Sequence, residues 1–247
     1  MFFQADPGTS WAGSIAACME YPHNRPYTAD DLVHIITLLR DPVNGCPWDK
    51  VQTHTSIRMN FLEEAYEAVD ALDLDDPVLM CEELGDVLMQ VAFHTCMEQE
   101  TGRFTWEQVC DGVCQKLIER HPNIFGTQPG YEGITDWDAL KNKEKGRRTL
   151  ADDLESVPRA MPALMRAAKL QKRAARHGAA LQGADAAALA DAAENLQTAQ
   201  PASAQAEQAV GKLLFAAANL ARQAGVDPEQ ALQKANEAFC TAAGPVA

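Results

Sequence analysis

Two short stretches decide the fold: Leu62-Glu63-Glu64-Ala65-Tyr66-Glu67 and, some twenty residues on, Glu82-Glu83-Leu84-Gly85-Asp86-Val87-Leu88. In the first, Leu62, Ala65, Tyr66, Val69 and Leu72 recur at i, i+3, i+4, i+7 and i+10, the stripe of an amphipathic helix spanning about Thr53 to Leu74. Asp76-Pro77 ends that helix and opens another, which runs to about Thr101 with Met80, Leu84, Val87, Leu88, Val91 and Ala92 on its apolar side and Gly102 as its C-terminal stop. The spacing therefore predicts a helical hairpin packed through the Leu62/Ala65/Val69 and Leu84/Val87/Val91 stripes.

The same stretches carry the chemistry. Glu63, Glu64 and Glu67 stand at i, i+1 and i+4, and Glu83 and Asp86 are three apart on the next helix. Antiparallel packing brings four or five carboxylates together beside the seam, with no sequence-near Lys or Arg to neutralise them. Like charges at that density call for a cation. Hard, anionic oxygen ligands suit Mg²⁺ or Mn²⁺ better than Zn²⁺, and the lack of a Glu-x-x-His pair on these helices disfavours a di-iron site. Against this stands the plainer reading that acids on amphipathic helices are often only a solvated face.

Outward from the hairpin, residues 1 to about 27 carry Gly, Pro, Ser and Asn without helical period and read as a loosely ordered leader. Thr28-Ala29-Asp30-Asp31 has the spacing of a capping box ahead of a first helix that Pro42 stops. Thr105 caps a fourth helix, which ends near His121-Pro122, and a Gly/Pro loop leads to a short helix from about Asp136 to Arg147. No strand is expected. Alanine then rises to 32 of the last 97 residues against 10 of the first 150, and four more helices are predicted over 162–177, 185–200, 204–224 and 228–243. Their order repeats the first half: Glu83-Leu84-Gly85-Asp86-Val87-Leu88 aligns with Ala209-Val210-Gly211-Lys212-Leu213-Leu214, and Ala92 with Ala218. The second copy keeps the apolar frame and loses the acids.

Composition narrows the partners. With 21 basic and 35 acidic residues the net charge is −14, which repels nucleic-acid backbones and anionic lipid, so neither nucleic acid nor membrane is expected as a partner. Seven cysteines without a CxxC spacing point to a reducing, cytoplasmic setting and no structural zinc. His54, His94 and His121 have no partner at i+3 or i+4 and read as packing or capping residues, while Trp48 reads as a base-stacking group or a hydrophobic plug.

Arg40-Asp41-Pro42, Asn44-Gly45-Cys46-Pro47-Trp48-Asp49-Lys50, Gln52-Thr53-His54, the two acidic stretches and Arg120-His121-Pro122-Asn123-Ile124-Phe125-Gly126 together resemble the MazG family of nucleoside triphosphate pyrophosphohydrolases. The resemblance spans about 30 to 245 and is most specific up to about 150. It implies an all-α fold of tandem MazG-type helical repeats, a bundle completed by homodimerisation, and Mg²⁺-dependent cleavage of nucleoside triphosphates to monophosphates and pyrophosphate, in house-cleaning or nucleotide-pool control. It places the metal on Glu64, Glu67, Glu83 and Asp86, with Glu63 as a further ligand or the group that orients the attacking water, so that Glu63, Glu64 and Glu67 form the catalytic set. Substrate positions carry over onto Lys116, Arg120, Trp137 and Lys141, with Trp48 a further candidate. Residues 28–150 then form the catalytic domain and 151–247 a degenerate repeat, whose matching positions read Ala193, Glu194, Gln197, Ala209 and Lys212. The alternatives are a non-catalytic scaffold or nucleotide sensor, or a dUTP or phosphoribosyl-ATP pyrophosphohydrolase on the same carboxylate bundle.

Overall fold

The computed structural model describes residues 19–122, 124–126, 146 and 149–244. Among these there are helices and turns and no strand, and the chain divides into two compact units, Met1–Gly133 and Ile134–Ala247. The short helix expected over 136–147 lies outside the described residues, as does the leader up to residue 18.

In the first unit, α1 spans Ala29–Leu39, α2 His54–Leu74, α3 Pro77–Glu100 and α4 Trp106–Arg120. The Thr28 hydroxyl caps α1 by accepting from the Asp31 N–H while the Asp31 carboxylate accepts from the Thr28 N–H, the reciprocal pair the sequence predicts. Thr53 and Thr105 cap α2 and α4 in the same way. Between α2 and α3 the chain turns on Asp75, left-handed at φ 53°, and Pro77 enters at the first turn of α3, where its missing N–H costs nothing. The core gathers Ile36, Ile57, Ala92, Phe93, Cys96, Met97 and Trp106 between α1, α2, α3 and the start of α4.

Arg40, 8% exposed, ties this core to the loop that follows α1. Its guanidinium forks onto Glu100 at 2.5 and 2.8 Å, donates to the carbonyls of Asp49 and Gln52, and lies 5.3 Å from the centre of the Phe93 ring. That one side chain fixes the path of residues 49–52 into α2. Trp48, at the start of this segment, is 44% exposed, so it is no hydrophobic plug.

The seam between α2 and α3 matches the predicted stripes in part: Leu62, Ala65, Val87 and Val91 are half-buried, but several other stripe residues are not. Tyr66, Val69 and Leu72 are about half exposed on α2, as is Leu84 on α3, and Leu88 is exposed as well. The face of α2 that α3 covers is instead Ile57, Ala68 and Ala71, at 3%, 6% and 0% exposure, with half-buried Glu64 in the same row. Alanines let the two backbones approach closely, and the bulkier apolar residues are left facing outward.

The second unit holds α5 (Leu150–Glu155), α6 (Ala163–Arg176), α7 (Ala186–Thr198), α8 (Ala204–Gln223) and α9 (Pro228–Ala243). The last four match the helices predicted from the sequence within a residue or two. The short α5 was not predicted: six residues give too little periodicity, although Thr149 and Asp152 form a full capping box. Its Asp153, 1% exposed, pairs with Arg173, Arg176 and His177 at the end of α6 and joins the two helices. Along α8, Ala209, Ala216 and Ala218 are buried, at 4%, 0% and 0% exposure.

Candidate active site

Because α2 packs on α3 through small residues, Glu64 is half-buried and meets the first turns of α3. Glu64, Glu83 and Asp86, all half-buried, each bring a carboxylate oxygen within 4.8 Å of the other two. The side-chain amide of Gln90, one turn beyond Asp86 and 7% exposed, bonds to Glu64. Glu83 Oε2 is buried and has no hydrogen-bond partner among the described residues.

The electrostatics follow from that crowding. Partial burial first, then the charges of Asp86, Glu67 and Glu83, push the Glu64 carboxyl above the ordinary carboxylate range, and the hydrogen bond from Gln90 pulls against them. Glu83 is raised by desolvation and by the charges of Glu67, Asp86 and Glu82. Glu67 is therefore close enough to act on both, although it is exposed and outside the three-acid group. Glu63 is exposed at the edge of α2.

An unpartnered buried carboxylate oxygen beside two more carboxylates, with only an amide for relief, is a donor set that fits a hard divalent cation. It does not resemble a solvated face, where each acid would be free to swing into water.

Of the residues expected to hold substrate, Lys116 is exposed and Arg120 half-buried on α4, and no ion pair joins either to the three acids. The Trp48 carbonyl accepts from the Gln52 side chain. Trp137 and Lys141 lie outside the described residues. Two features escaped the sequence reading. Gln90 did, because a lone Gln on an apolar stripe has no signature. The pairing of His54 with His94 did too: 40 residues apart in the chain, their Nδ1 atoms lie 2.7 Å apart.

Fold and seam together define the class: an all-α protein whose central helix pair buries a cluster of carboxylates. The family model of the MazG nucleotide pyrophosphohydrolase domain matches residues 52–125, which contain all of these acids. The chain is 41% identical over 219 residues to the nucleoside triphosphate pyrophosphohydrolase of Escherichia coli K12, covering 85% of this chain and 83% of that one. It is 39% identical over 212 residues to the nucleoside triphosphate pyrophosphohydrolase/pyrophosphatase MazG of Thermotoga maritima, covering 85% and 82%. With the nucleoside triphosphate pyrophosphohydrolase of Mycobacterium tuberculosis it shares 35% over 151 residues, 60% of this chain and 46% of that one. The chain belongs to the MazG family and is an enzyme, a hydrolase of the nucleotide pyrophosphohydrolase class. Among the described residues, no helix is long and apolar enough to cross a membrane.

Proposed function

We propose that the protein is a Mg²⁺-dependent nucleoside triphosphate pyrophosphohydrolase, converting an NTP or dNTP and water to the monophosphate and pyrophosphate. The observation that carries this reading is the three-acid group with its unpartnered Glu83 oxygen, in a chain of this family. Glu64, Glu83 and Asp86, with Glu67 from the rim, would hold the cation, Mn²⁺ serving in place of Mg²⁺. When bound, the ion supplies charge neutralisation to a polyphosphate that the chain's own charge of −14 would otherwise repel.

The chain's side chains do the rest. Gln90 keeps Glu64 oriented from inside the seam. Glu63, exposed one residue away, accepts the proton of the water that attacks the phosphoanhydride. Lys116 and Arg120, one turn apart on α4, neutralise phosphate oxygens. Trp48, Trp137 and Lys141 complete the substrate contacts.

The second unit is read as a degenerate repeat. Aligning Glu83 with Ala209 also aligns Gln90 with Ala216 and Ala92 with Ala218, and Ala209, Ala216 and Ala218 are all buried. The apolar frame is retained, and Lys212 stands where Asp86 does in the first unit. The reading is tested by pyrophosphate release from a panel of NTPs with Mg²⁺. Glu67→Gln is expected to abolish monophosphate and pyrophosphate formation, and Lys212→Ala to leave it intact. Nucleotide binding without any cleavage by the wild type would instead favour a sensor.

The first unit is further read as one half of a homodimer. Tyr66, Val69, Leu72, Leu84 and Leu88 form an exposed apolar face on the hairpin, a surface a soluble chain covers with a partner. Sedimentation equilibrium is expected to give a dimer for the wild type, and a monomer once Leu84→Glu and Leu88→Glu place charges on that face; an unchanged mass for the double variant would refute this interface.

A further inference from the structure

We propose that Gln90 is a positioning residue of the cation site in two ways: its amide nitrogen holds Glu64, and its Oε1 accepts a hydrogen bond from a water that the cation carries. The proposal rests on the reading that Glu64, Glu83 and Asp86 hold a divalent cation.

Glu83, Asp86 and Gln90 follow one another at three and four residues on α3 and share one side of it. Long side chains on a helix lean towards its N-terminus, so Gln90 reaches back over the turn that carries Asp86. The three acids are half-buried, and Gln90 lies deeper than any of them at 7% exposure.

The amide is assigned end by end. A carboxylate only accepts, so the hydrogen bond to Glu64 comes from Nε2. Oε1, about 2 Å away on the same amide, is buried and has no hydrogen-bond partner among the described residues. The ionised acids cannot supply one, since they too are acceptors. Native folds rarely leave a buried acceptor in that condition. Glu83 Oε2 shares it, on the same side of the same helix. Charge separates the two oxygens. The anionic one suits the ion itself. The neutral one suits a water on that ion, whose lone pair the metal engages and whose hydrogens point outward.

The second unit supplies an internal comparison. In the alignment that sets Ala209 against Glu83 and Lys212 against Asp86, Ala216 takes the place of Gln90 and is 0% exposed. Two positions further on, Ala92 and Ala218 are 0% exposed in both units, so the helices keep the same frame. A methyl group fills this buried position in α8, and packing therefore does not require an amide there. The amide is present where the acids are present and absent where they are lost.

The test is calorimetric titration of the metal-free protein with Mg²⁺ and, separately, with Ca²⁺. Mg²⁺ keeps several of its waters when bound, whereas Ca²⁺ exchanges more of them for direct oxygen ligands. Gln90→Met keeps the length of the side chain and removes both donor and acceptor. It is expected to weaken Mg²⁺ binding about tenfold and Ca²⁺ binding by no more than about threefold. Gln90→Glu, which keeps an acceptor oxygen and gives up the donor, is expected to bring the Mg²⁺-to-Ca²⁺ affinity ratio back towards the wild-type value. Melting curves confirm folding, and Gln90→Leu takes the place of the Met variant should that one fail to fold. Equal losses for the two cations would mean that Gln90 acts only by holding Glu64, and would overturn the inference, as would a Mg²⁺ affinity untouched by Gln90→Met. A wild type that binds neither cation would overturn the cation reading of the acids and this inference with it. The expected shift in ratio without AMP and pyrophosphate from ATP would overturn the hydrolytic reading and leave this one standing.

Discussion

Glu83→Gln is expected to lower nucleotide hydrolysis by roughly three orders of magnitude while making the metal-free protein more heat-stable at neutral pH. The loss reflects removal of a charged ligand where several kcal/mol of phosphate charge must be offset. The gain has the opposite origin. Glu64 and Glu83 are both held above their ordinary value of 4.5 by desolvation and by neighbouring acids. A carboxyl raised on folding binds more protons in the native state than in the unfolded one, so its contribution is present below the unfolded value and is lost as pH climbs through the raised one. At pH 7 the metal-free protein has therefore lost that stability and carries the repulsion in full. Melting curves in EDTA should show Glu83→Gln above wild type at pH 7, the gap closing toward pH 4. Added Mg²⁺ should raise the wild-type midpoint and barely move that of the variant. Identical metal-free midpoints at pH 7 would mean that the acids are relaxed in solvent and that the crowding argument fails.

Asp153→Ala should be the most damaging single substitution away from the acids, at about 3–5 kcal/mol of unfolding free energy. Asp153 is 1% exposed and faces Arg173 at 3.1 Å, Arg176 at 2.9 Å and His177 at 3.2 Å. Arg173 is itself 7% exposed, and it also donates to the Asp153 carbonyl and the Ser156 hydroxyl. Removing the carboxylate leaves a buried guanidinium without its counter-charge, whereas replacing both members with apolar residues of similar volume should cost much less. Urea unfolding of Asp153→Ala and of the Asp153→Leu/Arg173→Met pair separates the two cases. A single variant within about 1 kcal/mol of wild type would show the pair to be dispensable.

Helix ends were the most legible feature of this chain, because capping is local: Thr28 and Thr105 are N-caps where the spacing predicts them, Thr53 caps the helix expected to begin there, and Gly102 adopts φ 69° just past α3. The acids were legible for a related reason. Glu64 and Glu67, like Glu83 and Asp86, lie three apart on one helix, so their proximity within each pair follows from helical pitch alone. Which side of α2 faces α3 was not legible. Apolar residues occupy a wide arc of that helix, and hydrophobicity by itself favours Tyr66, Val69 and Leu72 over the alanines. Close packing decides otherwise, and seats Glu64 beside Ala68 and Ala71 in the seam.

The amino-acid sequence by itself determined the all-α class, most helix boundaries and the spacing of the acids along each helix, since each depends on residues within a few turns of one another. Only the tertiary structure decided that the carboxylates are half-buried between two helices, that Gln90 relieves one of them, and that Glu98, His54 and His94 join end to end. These are contacts across 26 to 44 residues of chain, and they are set by how closely two backbones can approach, which periodicity along a single helix does not encode.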